Sequence, residues 1–201
     1  MKKTLTFMII ALSAIAGVFF IVALSTDEVP TEPVAYIATF NHTLIPLDQY
    51  KLYLRQNVQR FENEAGPDIW GTNLGGMTAT ELVKSQALES FLTVILTNLQ
   101  TGHPYTAGLT EDEQQAAADQ ALAIWNELTP TEQALFDIET LQQVREDILL
   151  HYNIRAYLTQ NYVEHQRNEI FLNMFTHWRS QVNVLINFEN WDTLDIEVFR
   201  P

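Results

Sequence analysis

Five histidines, at positions 42, 103, 151, 165 and 177, are the side chains of this sequence best suited to acid–base or metal chemistry. No two of them form a His-Glu-x-x-His pair, the spacing that sets two imidazoles on one helix face around a zinc ion. Glu164, His165 and Glu169 fall within one or two helical turns and could meet a cation, yet a solvated helix face accounts for them. There is no Gly-x-x-x-x-Gly-Lys loop to cradle phosphates and no Gly-x-Ser-x-Gly nucleophile elbow. Ser85 and Ser90 lie inside an expected helix. Cysteine is absent, which excludes disulfides, thiolate nucleophiles, thiolate metal sites and cysteine lipidation. No catalytic set, cofactor site or metal site is assigned, and a binding protein is favoured over an enzyme.

The 201 residues carry 11 Lys+Arg against 25 Asp+Glu, a net charge of -14. Such a balance opposes nucleic-acid binding, which needs clustered positive charge to follow a phosphate backbone. With 47% hydrophobic and 11% aromatic residues the chain can nonetheless bury a core.

The elements that position these residues begin with an export segment. Lys2 and Lys3 precede an apolar run from Leu5 to Leu24, followed by Ser25-Thr26-Asp27-Glu28. The run approaches the roughly 20 residues that span a bilayer, so residues 1–25 read as a signal peptide or a signal-anchor, with Ala23-Leu24-Ser25 offering small residues for cleavage. The positive flank stays inside. The rest is expected to be extracytoplasmic, membrane-anchored or secreted, in a bacterial cell envelope. Residues 26–33, with Pro30 and Pro33, read as a linker.

A domain over 34–190 follows, with 191–201 as a tail. Val34 to Phe40 is rich in strand formers, and Asn41-His42 is a turn. Thr43-Leu44-Ile45 either pairs back or leads into a helix at Pro46. Leu47, Tyr50, Leu54 and Phe61 recur at helical spacing before Gly66-Pro67 stops the run. After Gly108 there is no glycine, and Pro130 is the only proline before Pro201, so the second half is expected to be largely helical. Thr78 with Glu81, Thr110 with Glu113, and Thr129 with Glu132 form three Thr-x-x-Glu capping boxes, the last with Pro130 at the first helical position. The helix after Thr78 directs Leu82, Phe91, Ile95 and Leu99 to a core and stops at Gly102-His103-Pro104. Asp137 caps a stretch of about 40 residues, roughly 60 Å if continuous. It either breaks near His151 to Asn153 or forms one arm with Leu141, Val144, Ile148, Tyr152 and Leu158 along one side. Val182 to Phe188 alternates like a strand, and its mate is Val34 to Phe40. The expected fold is mainly α: a helical body with a small two-stranded element joining its N- and C-terminal ends.

This order of elements resembles the N-terminal chaperone domain of SurA, PrsA and related extracytoplasmic foldases. The opening Val34-Ala-Tyr-Ile-Ala-Thr-Phe-Asn-His-Thr-Leu-Ile45 is similar to the family's first strand, and Gln49-Tyr50 to the pair that enters its first helix. Glu81 to Leu88 is similar to the second helix, Gly108-Leu-Thr-Glu-Asp-Glu113 to the third-helix start, and Trp178 to Ile186 with Asn187 to the closing helix and strand. The likeness covers most of residues 34–190. It departs at His42, which stands where the family has a turn glycine, and at Leu158 to Glu169, which leave no room for the parvulin-type prolyl isomerase domain that many members insert.

The resemblance implies an ATP-independent chaperone-like protein that binds unfolded or exported polypeptides and lacks an isomerase domain. Two alternatives stand beside it: a membrane-tethered scaffold for one protein partner, and a peptidylprolyl isomerase relative with an unrecognised active site. A chaperone of this kind needs adaptable exposed apolar side chains. The candidates for client binding are Trp70 and Met77 in the glycine-rich loop, Tyr105, and Phe171, Met174, Phe175 and Trp178 on the closing helix, although for Phe171, Phe175 and Trp178 a place in the core under the strand pair is the favoured reading. The membrane is met through the N-terminal segment. Homodimerisation stays open, because no heptad repeat is sustained.

Overall fold

The computed structural model describes residues 35–200 apart from 42 and 101. The expected signal segment, the linker and the turn residue His42 lie outside the described residues. Among the described residues, no helix is long and apolar enough to cross a membrane.

The described chain is mainly helical with a small antiparallel sheet. Strand β1 (Tyr36–Phe40) turns at Asn41, which adopts the left-handed φ of 43°, and pairs with β2 (Thr43–Pro46). Its other edge takes the late strand β5 (Val184–Ile186), with Ala38 opposite Ile186, Thr39 opposite Leu185 and Phe40 opposite Val184. The pairing of opening and closing segments is as the sequence reading has it. The sheet nevertheless has three strands, ordered β2-β1-β5, instead of two. Pairing back at Thr43 satisfies the free edge of β1 before the first helix starts, which a two-stranded element would leave open. The closing strand is also shorter than expected. Asn187 ends it by donating its backbone N–H to the Ile37 carbonyl at 2.9 Å, and Phe188 already begins a helix.

Helix α1 (Leu47–Ala65) buries Tyr50 and Leu54 and ends at Gly66, whose φ of 85° favours glycine. A 3₁₀ turn (Pro67–Gly71) leads to a hairpin of β3 (Asn73–Leu74) and β4 (Met77–Thr78). Between them Gly75 and Gly76 both have positive φ, the geometry a two-residue hairpin turn requires. Then follow α2 (Ala79–Asn98), a 3₁₀ turn (Pro104–Ala107), α3 (Glu111–Glu127), the single turn α4 (Pro130–Gln133), α5 (Ile138–Thr159), α6 (Glu164–Ser180) and, after β5, α7 (Phe188–Thr193).

All three threonine–glutamate boxes form. In each, the hydroxyl accepts from the glutamate backbone N–H and the carboxylate accepts from the threonine N–H. Two of the glutamates also reach across the fold. Glu113 accepts from Asn153 Nδ2 on α5 at 2.8 Å, and Glu132 accepts from Arg55 Nε on α1 at 2.6 Å. Asp137 caps α5 through the Thr140 N–H at 2.6 Å.

The long helical stretch is neither broken near His151 to Asn153 nor continuous as one arm. Helix α5 runs past His151 to Thr159, and the chain reverses through 160–163 without glycine or proline. The reversal brings Phe171 of α6 back against His151, ring centroids 5.5 Å apart and nearly perpendicular, so tertiary packing decides the break. Leu99, directed to the core by the sequence reading, is exposed just past the end of α2, and Tyr152, placed with Leu141, Val144 and Ile148 along one side, is exposed on α5. On α5 the inward row is Leu141, Val144, Ile148, His151 and Ile154, which follows helical geometry one position away from Tyr152. Residues 191–200, read from sequence as a tail, contribute Trp191, Ile196 and Phe199 to the same core as α1 and α2.

Candidate functional site

The seven residues singled out for client binding occupy different environments. Trp70 is half-buried: its Nε1 donates to Glu62 at 2.7 Å, its ring lies 5.5 Å from Phe61, and the Arg200 guanidinium sits 5.8 Å from the ring centroid. These contacts, first the Trp70 hydrogen bond and then Arg200, hold the Glu62 carboxyl below its ordinary range. Met77 is 40% exposed and pairs in register with exposed Leu74 on the β3–β4 hairpin. Tyr105 is half-buried, and its backbone N–H donates to His103 Nδ1 at 3.1 Å. On α6, Phe171 is fully buried while Met174, Phe175 and Trp178 are half-buried. Phe171 and Trp178 meet edge to face at 6.2 Å. Met77 is thus the exposed member of the set, and Phe171 belongs to the interior.

A different feature stands out between α1, α2 and α5. A cleft of about 490 Å³ opens there, with Asn57 and Arg60 on one wall, Ser90 and Thr93 on the second, and His151 and Arg155 on the third. Beyond Arg60 it adjoins a shallower recess along the Ser85–Glu89 face of α2. The Ser90 and Thr93 hydroxyls donate to the carbonyls of Gln86 and Glu89 one turn back, at 2.8 and 2.7 Å. Their protons are therefore committed to the helix. The remaining strong donors are the guanidinium groups.

Those two arginines, like Lys84, Arg145 and Arg167, are not paired with a carboxylate among the described residues. Lys51, Arg55, Arg179 and Arg200 each hold a carboxylate within 4 Å, at Asp48, Glu132, Glu89 and Glu62 respectively. Arg60 and Arg155 hold none among the described residues. Arg60 donates to the amide oxygens of Asn57 at 2.7 Å and Gln86 at 3.5 Å, and Arg155 to Asn168 Oδ1 at 2.9 Å. Arg155 also lies over the Phe171 ring, 4.7 Å from its centroid.

His151 is 5% exposed, and its Nδ1 has no hydrogen-bond partner. Burial, reinforced by the Arg155 charge, pushes its pKa down to about 4, so the imidazole is neutral at physiological pH. One turn earlier, burial raises Asp147 to about 6. By contrast His103 is fully engaged, Nδ1 accepting from Tyr105 and Nε2 donating to the Gln100 carbonyl at 2.7 Å.

Sequence reasoning did not find this cleft. Its local trace is the polar row Ser85, Gln86, Glu89, Ser90, Thr93 along α2, a spacing that repeats on one helix face. Arg60 and Arg155 stand 95 positions apart, and nothing local joins them.

What fold and site define together is a mainly helical domain, tied at its ends by a three-stranded sheet and carrying an arginine-lined cleft. No family model, curated protein or solved structure matches the chain.

Proposed function

We propose that this protein is an ATP-independent, extracytoplasmic chaperone-like module of the SurA/PrsA type, binding unfolded or exported polypeptide segments. The observation that carries the reading is the antiparallel pairing of β1 with β5 over three residue pairs, which closes a helical body with the first and last strands in the order the family resemblance implies. The open cleft and the exposed Leu74–Met77 pair supply surface of the kind that holds extended chain: hydrogen-bonding side chains beside adaptable apolar ones. The acidic surface keeps such complexes soluble.

The test is light scattering of a chemically unfolded client with residues 26–201, using an unrelated acidic protein of similar charge as control. Suppression of aggregation at near-stoichiometric ratios, beyond the control, is the expected result. Equal curves for both proteins would replace this reading with a scaffold for one dedicated partner.

A further inference from the structure

We propose that the cleft between α1, α2 and α5 is a carboxylate-binding site, in which Arg60 and Arg155 hold an anionic group of a bound peptide against the wall that carries His151. The inference rests on the polypeptide-binding reading for the source of the carboxylate, and on the cleft itself for the chemistry.

Acidic residues outnumber basic ones 25 to 11, so an exposed arginine in this chain has an excess of internal carboxylates to choose from. Four other cations take one. Of the five described cations that take none, Lys84, Arg145 and Arg167 donate to the Trp191 carbonyl, the Gln120 amide oxygen and the Tyr162 carbonyl, whereas Arg60 and Arg155 line the same cleft, each steadied by side-chain amide oxygens. A neutral amide orients a guanidinium while leaving its charge uncompensated. Since a guanidinium has five N–H donors and the amides use one or two, the rest stay available in the planar fork that matches a carboxylate. The carboxylate of the adjoining recess, Glu89, is taken by Arg179 at 3.0 Å and so does not neutralise the cleft from that side.

His151 lines the same cleft. A 95% buried imidazole with an unpartnered Nδ1 is a costly arrangement for a wall that has nothing to bind. Held neutral, it adds a polar ring to the cleft without a competing charge requirement, and the nearby Arg155 charge favours an anion beside it. Exposed Tyr152, on the same rim, offers a ring face to whatever residue adjoins the bound carboxylate.

A peptide carries carboxylates at its C-terminus and on Asp or Glu side chains, and three probes separate these sources. Isothermal titration of the full chain in mild detergent uses N-acetylated Ala/Ser hexapeptides: one with a free C-terminus, one amidated with a central Glu, one amidated and uncharged. Expected is binding of one or both carboxylate peptides about tenfold tighter than the uncharged one, with the advantage removed in Arg60→Gln/Arg155→Gln and weakened by salt. Which carboxylate peptide binds identifies the source. Because a variant can lose structure, the His151 imidazole ¹⁵N resonances of the unmutated protein give a second readout, and they are expected to move with the carboxylate peptide alone. Equal affinity for all three peptides would overturn the carboxylate site while leaving polypeptide binding intact. Absence of binding alongside suppressed client aggregation would do the same, as would inorganic phosphate binding in place of carboxylate.

Discussion

The ammonium group of Lys84, on α2, donates a 2.8 Å hydrogen bond to the backbone carbonyl of Trp191, 107 positions away. The lysine's own carbonyl accepts from the Tyr50 hydroxyl at 2.9 Å, and the Tyr50 ring lies 6.1 Å from that of Trp191. One buried lysine thereby joins α1, α2 and the C-terminal segment. Burial lowers its pKa, opposed by the charges of Asp192, Asp195 and Glu81.

Lys84→Ala is expected to destabilise the fold by about 2 kcal/mol, because it empties the space of the aliphatic stem and orphans the Trp191 carbonyl. Lys84→Met keeps the stem and removes the desolvated charge, so its cost should be roughly half that. Urea unfolding followed by tryptophan fluorescence orders the two, and equal losses would show that the hydrogen bond matters and the stem does not.

Glu132 carries two duties. It closes the capping box with Thr129 and accepts from Arg55, whose side chain is mostly buried. Thr129→Ala should cost about 1 kcal/mol, the usual worth of a cap. Glu132→Ala should cost about 3 kcal/mol, since it also strands the Arg55 charge. A double-mutant cycle with Arg55→Met measures the coupling, expected to be at least about 1 kcal/mol.

Asp147 and His151 should oppose each other in pH. Burial raises Asp147 from 3.8 to about 6, so the folded state holds that proton more tightly than the unfolded chain, and stability is lost as pH rises from about 4 to about 6. His151 is lowered from 6.5 to about 4, so the folded state resists protonation, and stability is lost as pH falls over nearly the same interval. The two slopes nearly cancel. Urea midpoints at pH 6.5 and 4.5 should be similar in the unmutated protein. His151→Gln should gain stability on acidification and Asp147→Asn should lose it, by up to about 2 kcal/mol each once solvent screening is allowed for.

The C-terminal phenylalanines make a contrast of burial. Phe199 is 2% exposed and stacks on Phe136 at 6.1 Å, whereas Phe188 is 65% exposed. Phe199→Ala should cost about 3 kcal/mol and Phe188→Ala less than about 0.5 kcal/mol, read as shifts in thermal midpoint.

Helix starts and stops were legible in the sequence because they depend on residues three or four apart. The boxes at Thr78, Thr110 and Thr129, the cap at Asp137 and the stop at Gly66 each contain their own partners. The β1–β5 pairing was legible as two strand-like runs at opposite ends, and the pairing back of Thr43 to Ile45 was one of two readings of that stretch, but the shortness of β5 could not be read from composition. The reversal at 160–163 left no breaker residue as a signal, since Phe171 packing on His151 decides it.

The sequence by itself determined an acidic, cysteine-free, mainly helical chain and most of its helix boundaries, because capping, turn formation and charge are local properties. Only the tertiary structure decided that Trp191, Ile196 and Phe199 complete the core, that Arg55, Arg179 and Arg200 spend their charge on internal carboxylates, and that Arg60, His151 and Arg155 share one cleft. Which cations stay unpaired depends on distances between helices far apart along the chain, and no spacing within one helix encodes those distances.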